Sequence, residues 1–168
     1  MVELLVVLLL VVIALAIAVP ALLSVTYPPS NAGTQANLET ALTGADIYYR
    51  ANGGSFDGLY GGGTGVSSIT GIDIALSFTQ GASAKPNVIS LASSAKAGWL
   101  VLAAYARSTH KCWVIVDQAR LQASAVAGNT TLVPGVYYGV IPGTSPPSCA
   151  AGAALRGLRY RTHHFPRP

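Results

Sequence analysis

Histidine, cysteine and carboxylate side chains are scarce enough in this 168-residue chain to be followed one by one. There are three histidines, two cysteines and six carboxylates. His163 and His164 are adjacent, which is a poor geometry for holding one metal ion without further ligands. They read as solvated tail residues, and His110 stands alone. The carboxylates Glu3, Glu39, Asp46, Asp57, Asp73 and Asp117 are scattered, with no pair placed for general acid–base work. No nucleophile-elbow pattern supports a Ser-His-Asp arrangement. Asn52 to Gly65 holds seven glycines, but no Gly-Lys-Ser/Thr follows, so a phosphate cradle is unsupported. That stretch reads as a flexible surface loop. Asn129-Thr130-Thr131 fits a glycosylation sequon, a weak signal by itself. No cofactor, metal or enzymatic reaction is expected.

Two features remain. Cys112 and Cys149 offer one disulfide or two buried thiols. An even count beside an apolar, membrane-type segment favours an oxidising, extracytoplasmic setting. Arg156, Arg159, Arg161 and Arg167 lie in a tail with no acidic residue. They account for the whole net charge of +4, so the rest of the chain is neutral. A neutral body is not a nucleic-acid-binding surface. The tail interleaves its arginines with Tyr160 and Phe165, a composition suited to phosphate and base contacts. DNA or another polyanion is one reading of the tail. The plainer one is a cationic strip packed on a neighbouring subunit or left in solvent.

The elements that would position these residues begin with composition. Apolar residues make up 51% and charged residues 10%, against a usual charged share of about 25%; mean hydropathy is +0.49. Between Met1 and Leu23 only Glu3 and Pro20 are not apolar. Without that segment the apolar share falls to about 45%, normal for a globular domain. Leu4 to Val19 is an unbroken apolar run of sixteen, about 24 Å long as a helix. Apolar all round, it must meet lipid or other apolar segments on every side. No Lys or Arg precedes it, unlike a cleaved signal peptide. Glu3 at its head has two readings. It sits at a membrane interface, favoured by a helix dipole. Alternatively, it is desolvated among copies of the segment, where it needs a cation such as a neighbour's Met1 amine.

Glu3-Leu-Leu-Val-Val, the following run of Leu, Val, Ile and Ala, and Pro20 together resemble the N-terminal segment of type IV pilins. In that family a glutamate is followed seventeen residues later by a proline, and Glu3 and Pro20 are seventeen apart. Asn37-Leu38, Ala41, Ile47-Tyr48-Tyr49 and Asn52-Gly53-Gly54 resemble the end of the pilin helix. The Cys112/Cys149 pair is similar to the disulfide that closes the pilin's last variable region. Glu3 stands two places earlier than the family's glutamate, and the tail after Cys149 has no counterpart. The resemblance implies a leader removed by a prepilin peptidase and an N-methylated first residue. It also implies assembly residues Met1, Glu3 and Pro20, and a homopolymeric filament with its assembly machinery. The subunit would be held in the inner membrane before assembly and at the cell surface after it, serving adhesion, motility or DNA uptake. The rivals are a minor pilin or secretion pseudopilin and, from another class, an extracellular enzyme or binding domain on a membrane anchor.

The expected fold is α+β: a long N-terminal hydrophobic helix, interrupted near Pro20–Pro29, packed on a roughly four-stranded antiparallel sheet. Residues 1–51 form the helical assembly and membrane segment, and residues 52–168 the globular head with its disulfide and basic tail. Ser30 or Asn31 suits a helix N-cap. Leu38, Ala41, Leu42, Ala45, Tyr48 and Tyr49 recur at helical spacing, and Asn52-Gly53-Gly54 ends the helix. Ser67 to Thr79 reads as a short helix. Val88–Ala92, Trp99–Tyr105, Cys112–Val116 and Val136–Ile141 read as strands joined by short turns, hence antiparallel.

Overall fold

A computed structural model describes residues 31–60, 69–71, 75–94, 98–119, 133–141, 143, 149–153, 161–162 and 164–166. In chain order these form helix α1 (Asn31–Ala51), a 3-10 turn (Ile69–Gly71) and six strands. The strands are β1 (Ser77–Thr79), β2 (Val88–Ser94), β3 (Trp99–Ala106), β4 (Lys111–Gln118), β5 (Gly135–Ile141) and β6 (Arg161–Thr162).

The architecture corrects the expectation in three respects. The element on the sheet is a single helix of 21 residues. Among the described residues, none of the helices is long and apolar enough to cross a membrane. The run Leu4 to Val19 and the interruption at Pro20–Pro29 lie outside the described residues. Proline has no N–H to donate and disfavours helical geometry in the residue before it, so a helix starting just after Pro28-Pro29 is consistent with local chemistry. The sheet has six strands, not four, in the order β1-β2-β3-β4-β5-β6. It is mixed, because β1 runs parallel to β2 while the other pairs are antiparallel. Of the short helix expected at Ser67–Thr79, the described residues show a 3-10 turn at Ile69–Gly71, and Ser77–Thr79 is strand instead. Phe78 half-buries against the core there, and the free edge of β2 supplies backbone partners. A return of only eight residues between these parallel strands is short for a crossover. It suffices because a three-residue strand is only about 10 Å long.

Helix α1 lies across the sheet through Thr34, Leu38, Ala41, Gly44, Ala45 and Tyr48, all buried. Their alternating three- and four-residue spacing makes one stripe. The small side chains in its middle let the helix approach the strands closely. Leu42 and Tyr49, expected on the same face, are half-buried at its margin. The helix ends as Asn52-Gly53-Gly54 suggested. Gly53 has φ of 62°, and the Gly54 N–H donates to the Tyr49 carbonyl at 2.8 Å. This is the six-to-one bond of a Schellman cap.

Over residues 52–60 the chain folds back instead of forming a loose surface loop; the rest of the glycine-rich stretch lies outside the described residues. Phe56 and Leu59 are fully buried. Asn52 Nδ2 donates to the carbonyls of Ser55 and Asp57, and the Tyr48 hydroxyl donates to that of Asp57. The Ile69 N–H donates to the Leu59 carbonyl at 3.1 Å, which joins the 3-10 turn to this fold-back.

Both faces of the central sheet are buried. Ile89, Leu91, Leu100, Leu102, Trp113 and Ile115 face α1. Val101, Ala103, Tyr105, Val114, Val116 and Tyr137 form a second core on the opposite face, with Cys149 and Ala151 packed against it. The composition of β3, Trp-Leu-Val-Leu-Ala-Ala-Tyr-Ala, accounts for this. It has no polar alternation, the pattern of a strand covered on both sides.

Candidate functional site

Cys112 and Cys149 form a disulfide, with Cα atoms 5.4 Å apart. Cys112 is the second residue of β4, and residues 149–151 are stitched to the β1–β2 connection and to β2. The Ser83 N–H donates to the Cys149 carbonyl at 2.8 Å. Ala150 bridges Ala82, and the Ala151 N–H donates to Ser90 Oγ at 2.8 Å. The bond spans 37 positions in sequence, which in the chain-entropy model stabilises the fold by about 4 kcal/mol. Both cysteines are fully buried, so the pair is structural cross-link rather than exposed redox chemistry.

The other candidates separate. Met1, Glu3, Pro20, Arg156, Arg159 and Arg167 lie outside the described residues, as does the Asn129 sequon. Arg161 is in β6, where its backbone pairs with Tyr138 and that of Thr162 with Tyr137. The tail is therefore partly an edge strand, which the sequence reading missed. Phe165 is also committed. Its ring meets Trp113 edge-on at 5.4 Å and Tyr138 at 4.8 Å. A ring packed between two others is not free to stack on a base, which removes half of the aromatic component of the polyanion reading.

Two polar clusters flank α1. At its start, Asn31 Oδ1 accepts the Trp113 indole N–H at 3.1 Å and the Thr109 hydroxyl. Asn31, expected as an N-cap, thus ties the helix to the β3–β4 turn. That turn, Arg107–His110, is exposed. His110 sits at φ of 52°, and its Nδ1 is 2.9 Å from the Tyr105 hydroxyl. Ser83 Oγ accepts the Tyr105 N–H at 2.9 Å and donates to the Lys85 carbonyl at 3.0 Å. Asn37 Nδ2 donates to the Pro86 carbonyl at 3.0 Å. Lys85, Arg107 and Lys111 therefore gather at the end of the sheet where α1 begins.

Towards the other end, Asp117 is 8% exposed and is paired in register with Leu100 and Val136. Burial, and secondarily the Asp46 carboxylate on α1, push its carboxyl up to about 6. Burial also raises the Tyr138 hydroxyl, with a smaller push from Glu39. It does the same to Tyr48, with a smaller push from Asp57.

Among the described residues, no three or more His, Cys, Asp or Glu side chains gather as a metal site. What these residues offer is cross-linking and surface recognition. No family model, characterised protein or solved structure matches the chain.

Proposed function

We propose that this chain is a structural subunit of a type IV pilin-like surface filament, not an enzyme. The observation that carries the proposal is the frame of Glu3 and Pro20 around a run of sixteen apolar residues. Support comes from the order of the later elements: a helix laid on a sheet, then a C-terminal segment closed by the Cys112–Cys149 disulfide. The apolar segment waits in the inner membrane and is then drawn into a bundle of its own kind. The exchange of lipid for sister segments costs little, because lipid tails and Leu side chains are equally apolar. Glu3 sets register by pairing with a neighbour's N-terminal amine. An unpaired acid at the centre of a bilayer costs about 2.5–3.5 kcal/mol on insertion scales, and a carboxylate inside an apolar bundle is similarly disfavoured. Its partners are copies of itself, a prepilin peptidase and the filament assembly machinery.

Shearing cells and imaging the released fibres tests the role. The chain should be the main component of those fibres. A chain that stays with membranes and forms no fibre refutes the proposal and favours an anchored enzyme or binding domain. Glu3→Val should abolish fibres while membrane insertion persists; normal fibres would refute the pairing.

A further inference from the structure

Apart from Arg50 in the last turn of α1, the cations whose side chains are described gather at one end. Lys85, Arg107 and Lys111 share the end of the sheet at which α1 begins. The Ser83 hydroxyl that links the Tyr105 N–H to the Lys85 carbonyl holds Lys85 there. Arg107 comes directly after β3, and Lys111 pairs with Ala106 at the first position of β4. Lys85 and Arg107 are exposed and Lys111 is half-buried. The carboxylates Asp46, Asp57 and Asp117 belong to the opposite end, around the last turns of α1 and the Trp99–Gln118 pair. Glu39 lies eight residues along the helix from Asn31, about 12 Å away. Asp46, Asp57 and Asp117, three of the four described carboxylates, are therefore away from the basic end. The positive pole of the α1 dipole lies at the same end.

This is also the end from which the N-terminal chain leaves. Asn31 is bonded through its side chain to Thr109 of the basic turn and to Trp113. Only residues 20–30, eleven in number, separate it from Val19 at the end of the apolar run. Eleven residues reach at most about 40 Å fully extended. If the apolar run is in a bilayer, this is the part of the head tethered closest to the lipid surface.

We infer that the basic end of the head is a lipid-facing surface, on which Lys85, Arg107 and Lys111 bind the anionic headgroups of the bilayer that holds the chain before assembly. The inference rests on the proposed anchoring of Leu4 to Val19. Drawing the subunit into a filament would then also release these contacts. A basic residue near an anionic surface gains about 1 kcal/mol, and the effect decays within a Debye length. One such contact is about a fivefold change in occupancy.

The test uses the full chain in vesicles of phosphatidylcholine alone or with 40% phosphatidylglycerol. Flotation reports anchoring, and mass spectrometry follows the rates at which Lys85 and Lys111 are acetylated. Flotation with both vesicles is expected, with both rates about fivefold lower on the anionic ones. The protection should vanish in 0.5 M salt. Arg107→Gln with Lys111→Gln should bring the Lys85 rate on anionic vesicles to within about twofold of its neutral value, with an unchanged circular dichroism spectrum. Flotation with equal labelling on the two vesicles overturns the inference and leaves the anchor standing. Failure to float overturns both. Protection in lipid-free detergent that grows with protein concentration points to a second copy, and protection by added DNA on neutral vesicles to nucleic acid. Either, without a response to phosphatidylglycerol, overturns it.

Discussion

Replacing Asp117 by Asn should stabilise the protein at neutral pH and leave it unchanged in acid. Asp117 lies on the α1-facing side of β4, flanked in register by Leu100 and Val136, with 8% of its surface exposed. Its carboxyl is pushed up to about 6 from an ordinary 3.8, first by burial and then by Asp46. In the unfolded chain the proton leaves near pH 4. In the folded chain it is kept until about pH 6. Between those values the native state binds more protons, so stability falls as pH rises, and the penalty is complete above about pH 6. Below pH 4 both states are protonated and no penalty exists. Two pKa units correspond to about 3 kcal/mol. Solvent around a group that is not fully enclosed screens part of this, which leaves on the order of 1–2 kcal/mol.

Asn is nearly isosteric with Asp and carries no charge, so Asp117→Asn should recover that amount. Urea unfolding of the full chain in mild detergent, disulfide intact, measures it at pH 4.0, 5.5 and 7.5. The variant should match the parent at pH 4.0 and exceed it by on the order of 1–2 kcal/mol at pH 7.5. Asp46→Asn should give a smaller gain of the same sign, because Asp46 is the lesser cause. A difference between Asp117→Asn and parent that is constant over this range would refute the reasoning. It would mean that the substitution acts through packing, not through a desolvated charge.

Packing makes two further outcomes testable. Gly58 has φ of 72°, and a Cβ added there would stand 3.0 Å from the Tyr48 hydroxyl, whereas Gly53 has φ of 62° with nothing within 4 Å. Both alanine substitutions should lower the urea midpoint, Gly53→Ala by about 1 kcal/mol and Gly58→Ala by about 2, since it adds a contact to the left-handed strain. Phe165→Ala should remove the ring held between Trp113 and Tyr138 and cost about 1–2 kcal/mol for a half-buried aromatic. Hydrogen exchange at Tyr137 and Tyr138, the residues paired with β6, should accelerate. Unchanged exchange there would mean that β6 is held by its backbone alone.

What the sequence disclosed, and what it hid, divides by mechanism. The helix on the sheet and the four inner strands were legible because local pattern decides them. The stripe Leu38, Ala41, Ala45 and Tyr48 has helical period, and Asn52-Gly53-Gly54 carries its own stop signal. The edge strands were not legible. β1 has three residues and β6 two, too few to show a period, and each exists because an inner strand offers an open row of backbone groups. The assembly candidates Met1, Glu3 and Pro20 came from the resemblance to type IV pilins and lie outside the described residues.

A further gap concerns how the sheet is covered. From the sequence, the helix packs on the sheet, which accounts for one of its faces. Yet β3 and β4 lack polar alternation, and residues on both of their faces are fully buried within a single chain. Part of the low charge thus serves internal cover, not contacts between copies. The centre of the sheet, β3 and β4, thus has no open face to offer a neighbour. Contact between copies in the proposed filament must then use the sheet edges, the loops or the outer side of α1. There Ile47 is 47% exposed, next to the exposed Thr40, Thr43 and Arg50. The apolar character of this chain therefore answers two needs. In the segment Leu4 to Val19 it leaves surface needing a partner. In β3 and β4 it reflects a need that the fold has already met.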